Sequence, residues 1–366
     1  MLSALKRLDW ILVGAAVLLT GFGLFSVYSS SADGEITNFY KQIAFLAIGL
    51  LAMVFLSFID WRVFRENSYL ILFLYLACLL LLLGLFFWAP EIRGVKSWYR
   101  FGLFSVDPIE FTKIILIIIL AKYFSKRHVE IFQIRHIVLS GFYVFLPVFL
   151  TFFQPNMGSV IILVALWIGV LIVSGIKIPH FLALLLTGIL VLAFSWSFLL
   201  KDYQKNRIIS FVEPSDPLGL SWSQNQAKIA VGSGGLLGKG FGSGSQTQYG
   251  FLPESQNDFI FAAIAEETGL AGCFLLFSLF ALLFWRIFKI LLSCQNNFSR
   301  LFATGFAIIL IVQIFINIGM NLGLMPIIGI SLPFVSYGGS GLIAVFCALG
   351  ILQSIKMSGA NSSNSA

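Results

Sequence analysis

Charge is what this sequence has least of. Lys, Arg, Asp and Glu together make up 11% of its 366 residues, against 59% hydrophobic ones. A soluble domain carries about 25% charged residues. Here the 23 basic and 16 acidic side chains face 39 Phe, too few charges to wet a folded surface of this size. A water-soluble globular enzyme is excluded, and the mean hydropathy of +0.96 points to a chain that crosses a membrane repeatedly. Cysteine is scarce too. Cys78, Cys273 and Cys347 fall in apolar runs and Cys294 in a basic loop, so no disulfide framework is expected. No C-x-x-C or H-x-x-x-H spacing occurs, which argues against a zinc site. The net charge of +7 does not imply a nucleic-acid partner, because the basic residues lie in short loops between apolar runs, where they set membrane orientation.

Apolar runs are what the sequence has in abundance. A bilayer core takes about 20 residues per helix, and ten runs qualify: Trp10–Ser29, Tyr40–Ile59, Tyr69–Trp88, Ile109–Tyr123, Ile137–Phe153, Met157–Ser174, Phe181–Leu200, Phe259–Ile287, Phe302–Leu324 and Phe334–Ile355. The first exceeds the apolar core of about 7–15 residues in a signal peptide and reads as an uncleaved helix. Trp10, Trp61, Trp88, Trp196 and Trp285 sit near run ends, as an interfacial belt requires. The expected fold is an all-α polytopic membrane protein: one domain over residues 1–366, with ten transmembrane helices and a large extracytoplasmic loop (about 201–257) between helices seven and eight. A polar tail, about 359–366, is expected to be disordered. Ten spans put both termini on one side, whose loops hold 13 of the 23 basic residues against 5 in the short loops and helix ends opposite. That bias places both termini in the cytoplasm. Twelve of the 16 acids then lie at the outer side, while His128, His136 and His180 lie near cytoplasmic loops. Chemistry at the outer face must use carboxylates, Lys, Arg and amides.

The long loop carries apolar and aromatic residues and is expected to fold back on the helices. Its glycine-rich run, residues 232–244, contains Gly238-Lys239-Gly240. A P-loop needs Ser or Thr after the lysine, between a strand and a helix, so no nucleotide site is expected. The run reads either as a flexible turn-rich loop or as backbone amides and Lys239 approaching a phosphate. Asp258 stands where the loop enters a helix, either as its N-cap or as a catalytic carboxylate. Glu266 and Glu267 follow about two turns inside an apolar helix, where ionisable groups are costly and functional by default. At about 100° per residue only Glu266 shares the side of Asp258. Glu110 and Lys113, spaced i, i+3 at the outer start of the fourth helix, make either a local ion pair or a phosphate or sugar site. The basic-aromatic stretch Arg93–Arg100 suits lipid headgroups or a ligand. Gln154-Pro155-Asn156 reads as a tight turn. Gly and Pro between Asn317 and Ser340 break helix nine from helix ten. Such interruptions line cavities or pack within protein.

In order, Tyr203-x-x-x-Arg207-Ile-x-x-Phe211, Asp216-Pro-Leu-Gly219, Gln226-x-Lys228-Ile-Ala-Val-Gly-Ser-Gly-Gly235, Gly238-Lys-Gly-Phe241, Leu252-Pro-Glu-x-x-x-Asp258-Phe-Ile-Phe261 and Leu332-Pro-Phe-Val-Ser-Tyr-Gly-Gly-Ser340 resemble the SEDS family of bacterial cell-wall polymerases, and within it the elongation type. The resemblance covers nearly the whole chain. Three stretches depart from the family pattern. Asp107-Pro-Ile-Glu110 stands for Gln-Pro-Ser-Glu, Gly94-Val-Lys-Ser97-Trp98 for Gly-Ala-x-Arg-Trp, and Gln154-Pro-Asn156 for Gln-Pro-Asp.

The resemblance implies glycosyl transfer on the outer face of the cytoplasmic membrane, polymerising the lipid-linked precursor lipid II. It places the family's essential aspartate on Asp258, as the general base of an inverting reaction. Lys113, Arg207, Lys228 and Lys239 become candidates for stabilising the departing pyrophosphate. Glu110 would orient Lys113 or bind metal, and Gln246 and Glu266 are further candidate substrate contacts. A divalent cation, Mg or Mn, is an expected cofactor. A class B penicillin-binding protein and elongation scaffold proteins are the expected partners. A lipid flippase or transporter is the competing class, although the acids cluster at one membrane face rather than through its depth. A division-specific paralogue would share the chemistry.

Overall fold

The structure is a computed structural model that describes all residues except 1–6, 32–35, 92–94, 103, 127–132, 214–219 and 364–366. Arg93 and the Asp216–Gly219 motif therefore lie outside the described residues. The elements are α1 (Trp10–Ser29), α2 (Thr37–Phe58), α3 (Arg62–Glu66), α4 (Ser68–Trp88), β1 (Tyr99–Phe101), β2 (Phe104–Val106), α5 (Pro108–Ser125), α6 (Ile134–Phe153), α7 (Met157–Val173), α8 (Ile178–Phe198), α9 (Asp202–Val212), α10 (Leu220–Ser233), α11 (Ser245–Gln248), α12 (Ile260–Ser293), α13 (Asn297–Asn321) and α14 (Gly339–Ser363).

Each apolar run lies on a helix. Eight of these (α1, α2, α4, α6, α8, α12, α13 and α14) are long and apolar enough to span a bilayer. The chain is a multi-pass membrane protein. Two runs differ: α7 has 17 residues, and α5 carries Glu110, Lys113 and Lys122 among its 18. One feature departs from an all-α chain. Strands β1 and β2 form a short antiparallel hairpin, with Arg100 opposite Ser105. Helix α14 continues through Ser363, into the polar tail.

Helices associate in lipid where small residues let backbones meet. Helix α14 lies along α2 in this way. A Cβ at Gly350 would stand 2.6 Å from the Met53 carbonyl oxygen. Helix α12 packs on α1, α13 on α5 and α7, and α10 on α12. The centre is filled by large buried side chains, among them Leu19, Leu116, Phe124, Phe298, Phe302 and Phe346. Helix α8 is peripheral and buries only Ser195.

One end of the bundle is closed by a polar knot. Asp9 caps α1 through Leu12 N–H (3.2 Å) and takes both Oδ atoms of its carboxylate to Arg286 Nε (3.0 Å each), with Lys356 Nζ at 3.4 Å. Gln353 pairs with both backbone polar groups of Asp9. Burial pushes the Asp9 carboxyl up, but Arg286, the Leu12 amide and Lys356 outweigh it and hold the pKa below the usual carboxylate range.

At the opposite end α12 is broken. Gly269 adopts φ 65°, ψ −161° in the middle of the helix, so the ladder is interrupted and backbone groups on both sides lose their partners. The glycine-rich run fills the gap. Lys239 N–H donates to the Glu266 carbonyl (2.9 Å) and Gly240 N–H to that of Glu267 (3.0 Å). Leu270 N–H donates to the Gly235 carbonyl (2.9 Å) and Ala271 N–H to that of Leu236 (3.0 Å). Gly238 has φ +80°, and a Cβ there would overlap the Glu267 carbonyl. The run is thus not loose, and the amides of Lys239 and Gly240 are spent on the helix. It is spliced into a transmembrane helix.

Candidate functional site

Asp258 is held by its backbone. Residues 253–259 form turns, and α12 begins only at Ile260, with Phe259 as N-cap and no cap from that side chain. The cap comes from α13 instead, where Asn321 Oδ1 accepts the Ala262 N–H at 3.1 Å. Asn317 Nδ2 and Asn321 Nδ2 both donate to the Asp258 carbonyl, each at 3.0 Å. The two carbonyls before it are also taken. Ser336 Oγ donates to that of Asn257 (2.7 Å) and Tyr337 N–H to that of Gln256 (2.8 Å). Three successive carbonyls are fixed, and Asp258 is half-buried. Its Oδ2 would lie 3.4 Å from a Cβ at Gly329, which has φ +76°. The helical-wheel argument relating Asp258 to Glu266 does not apply, because no helix connects Asp258 to Ile260.

A second group forms at the start of α5. Glu110 Oε1 accepts Lys113 Nζ at 2.7 Å, with the two side chains only 16% and 4% exposed. Asp107 caps the helix through Ile109 N–H (3.1 Å), and its own N–H donates to Ser340 Oγ (3.1 Å). Burial, and then the neighbouring Glu110 carboxylate, push Asp107 up to about 8, against the opposing pull of the Ile109 amide and Lys113. The side chains of Ser97 and Asn156, where the family pattern has Arg and Asp, bond to each other: Asn156 Nδ2 donates to Ser97 Oγ at 3.0 Å. A neutral pair occupies the place of opposite charges. Asn156 also caps α7 through Ser159 N–H, and Gln154 Nε2 donates to the Leu82 carbonyl (2.6 Å), so this turn is structural.

Glu266 has no exposed surface. Its Oε1 accepts Lys239 Nζ and Gln246 N–H (both 2.9 Å), with Ser245 Oγ at 3.4 Å. Its Oε2 accepts Thr247 N–H (3.1 Å) and Thr247 Oγ1 (2.9 Å). Lys239, Gln246 and Glu266 are therefore brought together, with the carboxylate binding residues 239–247 down onto α12. Gln246 Oε1 remains buried without a hydrogen-bond partner. Glu267 faces the other way, taking the Ser29 hydroxyl on Oε1 while its buried Oε2 has no partner.

Arg207, on α9, lines a small cleft with Phe211, Ser221, Gln224 and Ile327. Lys228, on α10, is exposed, and its stem lies over Gly323 (φ +76°), where a Cβ would stand 2.8 Å from Cδ. These residues share one neighbour, the interrupted stretch between α13 and α14 together with the first turn of α14. Gly323 meets Lys228, the Met325 carbonyl accepts Gln224 Nε2 (2.7 Å), and Ile327 lines the Arg207 cleft. Gly329 then abuts Asp258, Ser336 holds Asn257, Ser340 holds Asp107, and Gly341 would place a Cβ 3.7 Å from Glu110. One segment threads Lys228, Arg207, Asp258 and the Glu110–Lys113 pair in sequence order. Sequence reasoning found the break but missed Asn317 and Asn321. The signal was there: two amides at i, i+4 in an apolar helix need buried partners.

An aspartate with a fixed backbone and a buried Lys–Glu pair, both touched by one segment of a multi-pass helical bundle, are the equipment of a membrane enzyme. Residues 9–361 match the family described as cell cycle protein, the FtsW, RodA and SpoVE group, and the chain belongs to this family. It is 37% identical over 338 residues to the peptidoglycan glycosyltransferase MrdB of Escherichia coli K12, covering 90% of each chain. It is 36% identical over 358 residues to the stage V sporulation protein E of Bacillus subtilis, covering 95% of this chain and 96% of that one. Among solved structures it is similar to a chain of a peptidoglycan synthase complex that coordinates polymerization and crosslinking (TM-score 0.81, 30% identity, 96% of this chain and 98% of that one). It is also similar to the rod shape determining protein RodA of Thermus thermophilus (TM-score 0.70, 28% identity, 95% and 96%).

Proposed function

We propose that this chain is a peptidoglycan glycosyltransferase that polymerises lipid II into β-1,4 glycan strands at the outer face of the bacterial cytoplasmic membrane. The observation that carries the reading is the fixed backbone of Asp258, joined by one continuous segment to the Glu110–Lys113 pair. Inversion at the donor sugar needs a base on the face opposite the leaving group. Asp258 takes the proton of the acceptor hydroxyl as that oxygen bonds to the donor C1. The C1–O bond to pyrophosphate breaks, and its electron pair leaves with the phosphate. Positive charge must meet that pyrophosphate. Lys113, aligned by Glu110, and Lys228 and Arg207 along the same segment are suited to it. Lys239 is already paired with Glu266, so Lys239, Gln246 and Glu266 act by holding residues 239–247 onto α12.

Among the described residues no three His, Cys, Asp or Glu side chains converge. Mg and Mn bind through one or two carboxylates together with substrate phosphates rather than in an all-protein cage. Asp107 and Glu110 would hold such an ion, which supplies charge to offset the pyrophosphate. The topology that fits this chemistry has ten spans, α5 and α7 joining the eight, with both termini cytoplasmic and residues 201–257 outside. The distribution of basic residues supports it. The peptidoglycan synthase complex supports a class B penicillin-binding protein as partner, and the motif details noted above favour elongation over division.

The test is glycan polymerisation from purified lipid II with a divalent cation, using wild type and Asp258→Asn, each with its penicillin-binding protein. Polymer from the wild type alone, with the variant folded and partner-bound, supports the assignment. Polymer from both refutes Asp258 as base. Polymer from neither, with lipid II translocation instead, replaces the reading with a flippase.

A further inference from the structure

We infer that Asn317 and Asn321 are positioning residues for Asp258, an inference that rests on the reading of Asp258 as the base. A general base must be held at hydrogen-bond reach of the proton it removes, and a displacement of about 1 Å can cost on the order of a hundredfold in rate. Asp258 has no helix beneath it to provide that rigidity, because α12 starts two residues later. Rigidity has to come from elsewhere, and the hydrogen bonds show from where. Both side-chain amides of α13 converge on the Asp258 carbonyl. Each also has a second anchor. Asn317 Nδ2 donates to the Ile330 carbonyl at 2.7 Å, and Asn321 Nδ2 to the Asn317 carbonyl at 2.7 Å. Neither residue has any exposed surface, so water cannot replace either bond.

The arrangement does more than cap a helix. Asn321 Oδ1 caps α12 by taking the Ala262 N–H. Its Nδ2, on the other side of the same amide, fixes the backbone of Asp258. Asn317 takes no part in the cap, yet it ties Asp258 to Ile330, the residue after the Gly329 that the carboxylate abuts. The two asparagines thus hold the reacting carboxylate and the wall facing it at one relative position. An acceptor sugar bound along the 322–341 segment meets a base already in register.

The experiment measures polymerisation rate against lipid II concentration for the full chain with its penicillin-binding protein, in Asn317→Ala, Asn321→Ala, Asn321→Asp, the double alanine variant and Asp258→Asn, with thermal stability recorded for each. Positioning predicts that kcat falls about ten- to a hundredfold in each alanine variant while KM stays within about twofold. The double variant falls no further than the worse single one, because both amides act through one carbonyl. Asn321→Asp separates the roles, because it keeps an acceptor for Ala262 N–H and loses the donor. Positioning predicts a loss of kcat like that of Asn321→Ala, and a purely structural cap predicts wild-type kcat. Where an alanine variant does not fold, Asn321→Asp and the remaining single variant decide. Wild-type kcat in folded Asn317→Ala and Asn321→Asp, with Asp258→Asn inactive, overturns the inference and leaves the base in place. Activity in Asp258→Asn overturns both.

Discussion

Removing the Glu266 carboxylate should release residues 239–248 from α12. Glu266→Ala deletes an ion pair and three further bonds of 2.9–3.1 Å from a fully buried position. Breaking a buried pair costs about 3–5 kcal/mol, but the Lys239 side chain is 29% exposed, and water will screen part of that loss. The stranded amides of Gln246 and Thr247 add about 1 kcal/mol each where solvent reaches them. A local loss of about 3–5 kcal/mol is expected. At 1.4 kcal/mol per tenfold, residues 239–248 should open about a hundredfold to a few thousandfold more often. Hydrogen exchange of the detergent-solubilised protein, read by mass spectrometry over peptides covering 239–248, measures this directly. Exchange within α13 serves as the internal reference. Glu266→Gln should also fail to hold the loop, because its NH₂ would face the donors of either Thr247 or Lys239. A fall in protection below tenfold in Glu266→Ala, with α13 unchanged, would refute the view that this carboxylate fastens the loop.

Three other outcomes are expected. Gly238→Ala should destabilise the protein by several kcal/mol, as φ +80° alone costs about 1–2 kcal/mol and the methyl meets the Glu267 carbonyl, whereas Gly232→Ala, in open space on α10, should leave the thermal midpoint unchanged or raise it. Ser97→Arg should cost about 3–5 kcal/mol by burying an unpaired charge, and Asn156→Asp should rescue it. Additive thermal shifts in the double variant would show that the two sites do not compensate. Asp107, with its pKa raised to about 8, holds its proton in the folded state after the unfolded chain has lost it. Stability should therefore fall as pH rises from about 4 to 8, by at most about 1.4 kcal/mol per unit, and level off above 8. Thermal midpoints with a chelator present should show this slope in the wild type and lose it in Asp107→Asn.

The helices were legible in the sequence because each must be apolar over its whole length, and length and hydropathy suffice to find such runs. Their ends were less so. Helix α13 starts at Asn297, five residues before the apolar run from Phe302, and α14 at Gly339, five residues after the run from Phe334 begins. Asp258, Glu110 and Lys113 stood out as charges at the ends of apolar runs, and the ion pair expected from the i, i+3 spacing is present. The glycine-rich run was legible only as unusual. Neither expected reading anticipated that its amides and carbonyls would replace those missing around Gly269, since the pairing joins residues 27 to 35 apart. The pairing of Ser97 with Asn156 was likewise visible only as two separate departures from the family pattern.

The break at Gly269 bears on how the chain is made. Unpaired peptide groups cost several kcal/mol each in hydrocarbon, so α12 cannot settle in the bilayer as a finished span by itself. Residues 234–240 leave the ribosome first and must be in place when the interrupted helix arrives to receive them. Biogenesis therefore has a fixed order here, and the two stretches are inherited as one part. Grafting α12 from a relative without its glycine-rich segment, or shifting that segment by one residue, should leave a chain that inserts but is recognised as unfinished and degraded.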